Sequence, residues 1–256
     1  MTQLDHRLVR LGARKPLPEK LARTLKLAHY LDAAQVTEFV PPEFDWFINV
    51  PDSMDLNDNL GDCVVAAQAK MDRSWTANAS ALGAACSITD ADILTEYEKG
   101  AGYNPNDPNT DQGWDLLTAL AYWQNTGMQG HKIGAYAAIN PKHHMMVRAA
   151  TYLFGGIYIA LELPISAQNQ TVWDAASGSD GAAGSWGGHC VTIQAILKDQ
   201  PVCRTWGAAQ PMTWAFLDKY CSEAYAVIAP DYLTGGKTIA GLDISALTAD
   251  QKLVTA

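Results

Sequence analysis

A short polar segment, residues 57–63, delivers one cysteine to the start of a helix-like run, and it constrains this chain more than any other feature. Asn, Asp and Gly in the segment favour turns, and small and apolar residues follow directly over 64–71. At a helix start, Cys63 faces free backbone N–H groups and the positive end of the helix dipole, which stabilise a thiolate and can hold an oxyanion. Cys63 is therefore a candidate nucleophile. The alternative is a buried core cysteine behind the cap residue Asp62.

The length and composition of the chain limit the class of protein to which it can belong. The chain has 256 residues, 48% of them hydrophobic, and eight Trp, which predicts one packed domain or a domain of two lobes. No apolar run is long enough to span a bilayer, and the N-terminus lacks a signal-peptide pattern. The five cysteines have no CxxC spacing, so we expect reduced thiols and a cytoplasmic protein, with a virion component as the alternative location.

Charge is unevenly distributed along the chain. The net charge of −9 argues against nucleic-acid binding, and no membrane partner is predicted. Residues 1–26 nevertheless carry seven Lys and Arg against two acidic residues. This basic arm either lies on the acidic body of its own chain or docks an acidic protein partner in an assembly.

The pattern of predicted elements divides the chain into a helical first half and a strand-rich second half. This order is typical of an α+β fold with segregated lobes. We predict a basic extension over 1–44, a helical lobe over about 57–130, a β lobe over about 131–232 and a tail over 233–256. The tail holds a possible capping box at 248–251 and is expected to be frayed or docked on a partner. Predicted helices cover about 18–31, 63–75, 115–125 and 141–154, with another starting at 89, and predicted strands cover 132–139, 157–163, 189–197, 202–206 and 224–228.

A second chemical group, His189, lies at the start of a predicted strand in the second half. An imidazole beside a cysteine at a helix start is the pair that a thiol hydrolase requires. The remaining histidines have no Cys, Asp or Glu pattern beside them, so no metal and no cofactor are predicted.

From about residue 46 to 232, the order of motifs resembles that of the papain-like cysteine peptidases. Their nucleophile segment has the pattern Q-G-x-C-G-S-C-W, with Asn57 here at the glutamine position, Gly61 at the family glycine and Cys63 at the nucleophile. Their histidine strand has the pattern G/N-H-A-V, which Gly188 and His189 begin here. The separation of about 125 residues between cysteine and histidine is similar to theirs. The resemblance implies a two-lobed fold, with a helical lobe, an antiparallel β-barrel or sheet lobe, and the active-site cleft between them.

Further motifs extend the resemblance and imply roles for other residues. The family's N-S-W-G is represented by 204–207, so Trp206 would shield the histidine from water. The family's glycine-rich wall, which pairs with substrate backbone, is represented by Gln112, Gly113 and Trp114, and these residues together with Gly188 would bind substrate. Residues 147–152 and 156–160 resemble the family's helix and first barrel strand. By this resemblance Asn57 and the Cys63 backbone N–H would form the oxyanion hole.

Two departures from the family pattern concern the catalytic groups directly. Arg204 stands where the family has the asparagine that orients the histidine, and Arg has only donors. The orienting group is then Thr205 after a one-residue shift, Asp199 or a backbone carbonyl, or the histidine has no orienting group. Asp62 precedes the nucleophile; it suits a helix cap, but its charge would raise the thiol pKa if it faced the sulfur.

These observations predict a papain-like thiol hydrolase that cleaves a peptide or isopeptide bond through a Cys63 thioester. One alternative is a catalytically impaired papain-like scaffold with a structural or binding role, for example in a phage particle. The second alternative is transglutaminase-type acyl transfer at the same site, which shares the acyl-enzyme step.

Overall fold

The computed structural model describes residues 9–31, 40–78, 84–233, 237–238 and 243–255. Helices dominate the first half and antiparallel strands the second, which confirms the predicted two-lobed α+β fold. The helices are α1 Pro18–Arg23, α2 Cys63–Asn78, α3 Asp90–Glu96, α4 Leu116–Asn125, α5 His144–Leu153, α6 Trp214–Tyr220 and α7 Ser245–Thr255. The strands are β1 Ala13–Arg14, β2 Phe44–Asp45, β3 Trp114–Asp115, β4 Ala135–Ala138, β5 Ile157–Leu163, β6 Gly187–Leu197, β7 Gln200–Thr205, β8 Ala208–Pro211 and β9 Cys221–Ile228.

Side-chain caps determine where the helices of the first lobe begin. The Thr89 hydroxyl and the Asp92 carboxylate form a reciprocal capping box at the start of α3, and the Asp115 carboxylate accepts from the Thr118 amide at 3.0 Å at the start of α4. Helix α2 begins at Cys63, as predicted, and almost all of its side chains are buried. It therefore forms the centre of this lobe, with the start of the helix facing the second lobe.

The large sheet of the second lobe has the strand order β4-β9-β5-β6-β7-β8, and β2 adds to β6. Its pairings are antiparallel, and strand β5 lies between β6 and β9, paired with β6 along its whole length and with β9 over 157–161. Strand β5 has the predicted bounds, and β6 begins two residues earlier than predicted. Strand β8 and helix α6 were not predicted, because each is short and lies in a stretch with Pro211 and few alternating residues.

Both ends of the chain pack against this body. Leu27, Leu31 and Leu247 are buried in the same apolar cluster as helix α5 and strand β5. Helix α1 ends at Arg23 and a separate 3₁₀ turn follows, so the predicted helix over 18–31 was too long.

The C-terminal helix α7 belongs to the folded body. The expectation of a frayed tail is wrong for 243–255, because the Asp243 carboxylate accepts from the Ser245 amide at the start of α7 and the Tyr30 hydroxyl donates to Asp250 at 2.7 Å. Docking of the tail on a partner stays a prediction. Residues 1–8 of the basic arm and parts of the tail lie outside the described residues, and the predicted domain boundaries stay predictions. No helix among the described residues is long and apolar enough to cross a bilayer.

Candidate active site

Cys63 is the first residue of α2 and is buried against the β lobe, with 1% of its surface exposed. The amide of Cys190 donates to its sulfur at 3.3 Å, and the backbones of Gly12 and Val64 also hydrogen-bond the thiol. Cys190 directly follows His189 on β6. The fold therefore brings the helix that starts at Cys63 against the strand that carries His189, as the sequence predicted.

The electrostatics of the thiol differ from the prediction of a helix-start thiolate. Burial raises the pKa of Cys63 to about 12 and outweighs the backbone hydrogen bonds from Cys190 and Gly12, which lower it; the nearby Asp62 raises it further. A helix start stabilises a thiolate by a few kilocalories at most, whereas removal from water costs more. In this closed arrangement Cys63 is a protonated thiol.

His189 is fully buried and held by two side chains of the neighbouring strand end. Its Nε2 lies 2.7 Å from the Thr205 hydroxyl oxygen, and its ring stacks on Trp206 with centroids 4.3 Å apart and planes at 11°. A hydroxyl oxygen can accept from a protonated Nε2, which leaves Nδ1 with the lone pair that a general base needs. Thr205, one of the groups that the sequence analysis named as able to orient the histidine, therefore contacts the imidazole.

Arg204, which replaces the family asparagine, contacts a different part of the molecule. Its guanidinium pairs with Asp45 and Asp52, each at 3.1 Å, and lies 4.9 Å above the Phe47 ring. Successive side chains of β7 point to opposite faces of the sheet. Arg204 therefore contacts residues 44–52, whereas Thr205 faces His189. Two carboxylates offset its charge.

Asp199, the other side chain proposed to orient the histidine, pairs with Arg148 at the surface.

The side chains of Asn57 and Asp62, in the segment that precedes Cys63, form a hydrogen bond with each other. The Asn57 amide nitrogen donates to the Asp62 carboxyl at 3.2 Å and to the Leu60 carbonyl at 3.3 Å. Burial raises the pKa of Asp62 well above its ordinary range, and the bond from Asn57 only partly offsets this. The oxyanion role of Asn57 stays a prediction, and it would require both of these bonds to open.

Two residues that the sequence analysis missed, Asp111 and Tyr97, connect the nucleophile segment to the segment that carries Gly113 on the same helical wall. The Asp111 carboxylate accepts from the Gly61 amide at 2.9 Å and from the Tyr97 hydroxyl at 2.7 Å. The Tyr97 hydroxyl in turn accepts from the Gly113 amide at 2.9 Å. The turn-rich loop over 104–111 was recognisable in the sequence, but a contact across 50 residues leaves no local pattern.

The chain's own residues 11–15, termed here the cleft segment, run between the two lobes past Cys63. Strand β1 pairs in parallel with β3, and the Trp114 amide donates to the Gly12 carbonyl at 2.8 Å. A Cβ added to Gly12 would lie 1.7 Å from the Gly61 carbonyl oxygen, and one added to Gly113 would lie 1.9 Å from the Gly12 oxygen. Only backbone fits at this crossing.

The cleft segment also contacts the β lobe. A Cβ on Gly188 would lie 2.1 Å from the Ala13 carbonyl oxygen, and Lys15 forms an ion pair with Glu162. Of the residues predicted to bind substrate, Gly113, Trp114 and Gly188 therefore line the cleft against this segment. Gln112 is exposed and bonds to the Asn109 carbonyl instead.

Several solved structures with a similar arrangement of elements are cysteine proteases. Xylellain, a cysteine protease from Xylella fastidiosa, is 12% identical with a TM-score of 0.65 over 86% of this chain and 96% of that one. The chain has a papain-like fold. A recombinant stem bromelain precursor (12%, TM-score 0.58, 90% and 80% covered) and procathepsin L2 from Tenebrio molitor larval midgut (12%, 0.55, 89% and 81%) are also similar.

Comparison with protein-family models gives no match, and comparison with curated protein sequences gives none. At 12% identity the structural likeness carries the fold alone, so the chemistry of this papain-like chain is argued from its own residues. Among the described residues, no group of three or more His, Cys, Asp or Glu is placed to hold a metal ion.

Proposed function

We propose that this papain-like chain is a cysteine peptidase that cleaves a peptide or isopeptide bond, with Cys63 as nucleophile and His189 as general base and acid. The observation that carries the proposal is the 2.7 Å contact between His189 and Thr205, under the stacked Trp206 ring. This arrangement fixes the imidazole beside the strand residue whose amide meets the Cys63 sulfur. A merely structural histidine requires no such combination of orienting hydroxyl and covering ring.

The proposed reaction has two steps. His189 takes the Cys63 proton, and the thiolate attacks the substrate carbonyl; the tetrahedral oxyanion is held by the Cys63 backbone N–H. The C–N bond breaks as His189 protonates the leaving amine, and a thioester remains on Cys63. Water, deprotonated by His189, then hydrolyses the thioester and restores the thiol. Thr205 is a positioning residue in both steps.

Within this proposal the cleft segment keeps the peptidase inactive in the closed form. It occupies the backbone track between Gly61 and Gly113, and it lies against Gly188 on the other side. A substrate backbone therefore requires the segment to leave. Gly12→Ala is the substitution that opens the cleft, because its methyl group would overlap the Gly61 carbonyl oxygen.

The test is hydrolysis of a fluorogenic peptide mixture by the full chain carrying Gly12→Ala. We expect turnover that Cys63→Ser abolishes and that Thr205→Val lowers about 10- to 100-fold in kcat, with Thr205→Ser restoring most of it. Gly134→Ala is the matched control, since a methyl group there would make only an ordinary contact 3.6 Å from the Ile228 oxygen. A folded Gly12→Ala chain that hydrolyses no peptide would overturn the proposal.

A second candidate function, the catalytically impaired scaffold, has support of its own. The pKa of Cys63 is raised, the Asn57 amide is committed to Asp62, and the cleft is filled. For this candidate, the basic arm or the tail would dock a protein partner in an assembly such as a virion. Stable co-purification with an assembly and no turnover after Gly12→Ala would favour the scaffold over the cytoplasmic peptidase.

Acyl transfer to an amine shares the acyl-enzyme step with hydrolysis, and no contact among the described residues favours it.

A further inference from the structure

A second cysteine, Cys190, lies beside the candidate nucleophile. Its amide donates to the Cys63 sulfur at 3.3 Å. A backbone nitrogen is about 1.5 Å from its own Cα, so the Cys63 sulfur lies within about 5 Å of the Cys190 Cα. A disulfide has its Cα atoms about 4.4–6.8 Å apart with both sulfurs between them, so it requires an approach of this kind. The family motif has alanine after the histidine, and this chain has a thiol there instead.

The side chains of both cysteines face the same apolar layer, between α2 and the sheet. Both belong to the buried cluster that holds Tyr158, whereas Val191, the next residue of β6, belongs to the cluster on the other face. The Tyr158 hydroxyl donates to the Val64 carbonyl in the first turn of α2 at 2.9 Å, and it also hydrogen-bonds the Cys190 thiol. One hydroxyl thus joins the Cys190 sulfur to the residue that follows Cys63.

The other three cysteines are not placed to compete for this partner. Cys221 lies on β9, and β5 separates β9 from β6, so the strand spacing puts about 10 Å between Cys221 and Cys190, too far for a disulfide. Cys203 belongs to the cluster on the other face of the sheet. The Cys86 amide donates to the Thr76 hydroxyl at 2.8 Å, about 20 Å along α2 from the start of that helix.

The contact between the two cysteines joins α2 directly to β6 and does not pass through the cleft segment. Departure of the cleft segment therefore exposes the Cys63 sulfur and leaves Cys190 beside it. In the closed form only 1% of Cys63 and 2% of Cys190 is exposed, and burial raises the pKa of both thiols. Because oxidants react with exposed thiolates, the pair is protected while the cleft is closed and becomes available when it opens.

We propose that Cys63 and Cys190 form a reversible disulfide when hydrogen peroxide reaches the open cleft, with Cys190 as the resolving thiol. The Cys63 sulfur attacks one peroxide oxygen, the O–O bond breaks, and Cys63 becomes a sulfenic acid as one water leaves. The Cys190 sulfur then attacks the Cys63 sulfur and the S–O bond breaks. Hydroxide leaves with the Cys190 proton as a second water. Two thiols are oxidised, one peroxide is reduced, and a dithiol reverses the bond by exchange.

The disulfide would act as a reversible block on the site. It ties up the sulfur of Cys63 and prevents its further oxidation to a sulfinic acid, which is irreversible. The consequence for activity rests on the proposed peptidase function, whereas formation of the disulfide does not require that function.

The test treats the full chain carrying Gly12→Ala with hydrogen peroxide and analyses its peptides by mass spectrometry without reduction. We expect a linked pair of peptides that contain Cys63 and Cys190, and we expect dithiothreitol to restore iodoacetamide labelling of Cys63. With Cys190→Ala, the link should be absent and the sulfinic acid at Cys63 should rise at least about tenfold. Cys221→Ala, at a buried cysteine of β9, is the matched control and should keep the link.

The outcomes separate this inference from the proposed function. A folded Gly12→Ala chain that shows no linked peptides, and whose Cys63 reaches the sulfinic acid equally fast with and without Cys190, would overturn the inference. Fluorogenic peptides are assayed in parallel. If they are cleaved, peroxide should abolish cleavage and dithiothreitol should restore it; cleavage without any disulfide leaves the peptidase proposal standing and overturns this one. If no peptide is cleaved, the peptidase proposal fails and mass spectrometry alone decides the inference.

If Gly12→Ala unfolds the chain, as monitored by circular dichroism, the wild type in a series of glutathione redox buffers provides a second measurement. We expect the disulfide between Cys63 and Cys190 at the oxidised end of the series, formed by exchange with glutathione disulfide. Cys86 is half-buried and reports that the oxidant reacts with the chain. Glutathione bound to Cys86 with no disulfide at Cys63 would overturn the inference.

Discussion

The two walls of the cleft are built differently. The helical wall offers mostly backbone: Gly61 and Gly113 approach the cleft segment so closely that no side chain fits, and the thiol between them is sealed from water. The β wall offers side chains: His189 is already oriented by Thr205, and Glu223 borders a cavity. In the closed form the imidazole is therefore held by Thr205 and Trp206, whereas burial keeps the Cys63 thiol protonated. Regulation of this site would therefore act by burying or exposing the Cys63 thiol.

The largest effect that we expect from this difference between the walls is on the reactivity of Cys63 after the cleft opens. With a pKa of about 12, almost no thiolate exists at pH 7. Exposure in Gly12→Ala returns the pKa towards the ordinary value near 8.5, so we expect iodoacetamide to label Cys63 at least about 100-fold faster. Mass spectrometry of the labelled peptide measures the rate. Gly134→Ala should label like the wild type, and equal rates in all three chains would mean that the cleft segment does not suppress the thiol.

A smaller effect is expected on the β wall, where the stability of the chain should depend on Glu223 and pH. Burial raises the pKa of Glu223 to about 7; Asp115 raises it too, and the Tyr225 hydroxyl partly offsets the rise. The folded chain then holds this proton more tightly than the unfolded chain. Its contribution to the free energy of unfolding is fully present below about pH 4 and is lost as the pH rises through 7, a difference of about 3 kcal/mol.

Urea unfolding of the wild type and of Glu223→Gln at pH 5 and pH 8 measures this contribution. We expect the variant to gain stability relative to the wild type at pH 8, since other groups titrate alike in both chains. If the free energies of unfolding of the two chains differ by the same amount at pH 5 and pH 8, Glu223 ionises in the folded chain as it does in water.

The smallest effect is expected on the helical wall, at the carboxyl beside the nucleophile. Burial raises the pKa of Asp62 well above its ordinary range, which lowers the cost of replacing its carboxyl group with a neutral amide, and Asp62→Asn should change the free energy of unfolding by less than about 1 kcal/mol. Asp55 is the contrasting buried carboxyl. Burial raises its pKa, but ion pairs with Lys70 and Arg73 outweigh burial and lower it overall.

Asp55→Asn should therefore cost about 3–5 kcal/mol, because it leaves two buried cations without their partner. Chemical denaturation at pH 7 compares the two variants directly. Equal losses for Asp55→Asn and Asp62→Asn would show that Asp62 is ionised beside the thiol, and the helical wall would then carry a charge that opposes a thiolate.

The sequence predicted those parts of the molecule that rest on local patterns. The start of α2 at Cys63 follows from a turn segment before an apolar run, and β5 over Ile157–Leu163 follows from alternation of β-forming residues. Motif order then predicted which strand carries the histidine. The two-residue strand β1 has no periodicity at all, so the cleft segment could not be recognised in advance.

Within the site, the predictions that were wrong or left open concern contacts between residues that lie far apart in the sequence. The one-residue shift that gives His189 the Thr205 hydroxyl depends on how β7 pairs with β6 across an irregularity near Ile193. The same holds for Arg204, whose partners lie about 150 residues earlier in the chain. Helix-dipole reasoning also predicted the wrong protonation state for Cys63, because burial depends on what covers the sulfur and not on the helix alone.

The covalent attachment of the cleft segment to the lobes that it covers has a kinetic consequence for the proposed peptidase. Closure over Cys63 is unimolecular, so dilution does not open the cleft, and a tethered occupant acts at an effective concentration on the order of millimolar. A free peptide must exceed that concentration, or bind more tightly than residues 11–15, to displace them. The ion pair between Lys15 and Glu162 adds a salt-sensitive part to this competition, so ionic strength shifts the balance between the tethered and the free ligand.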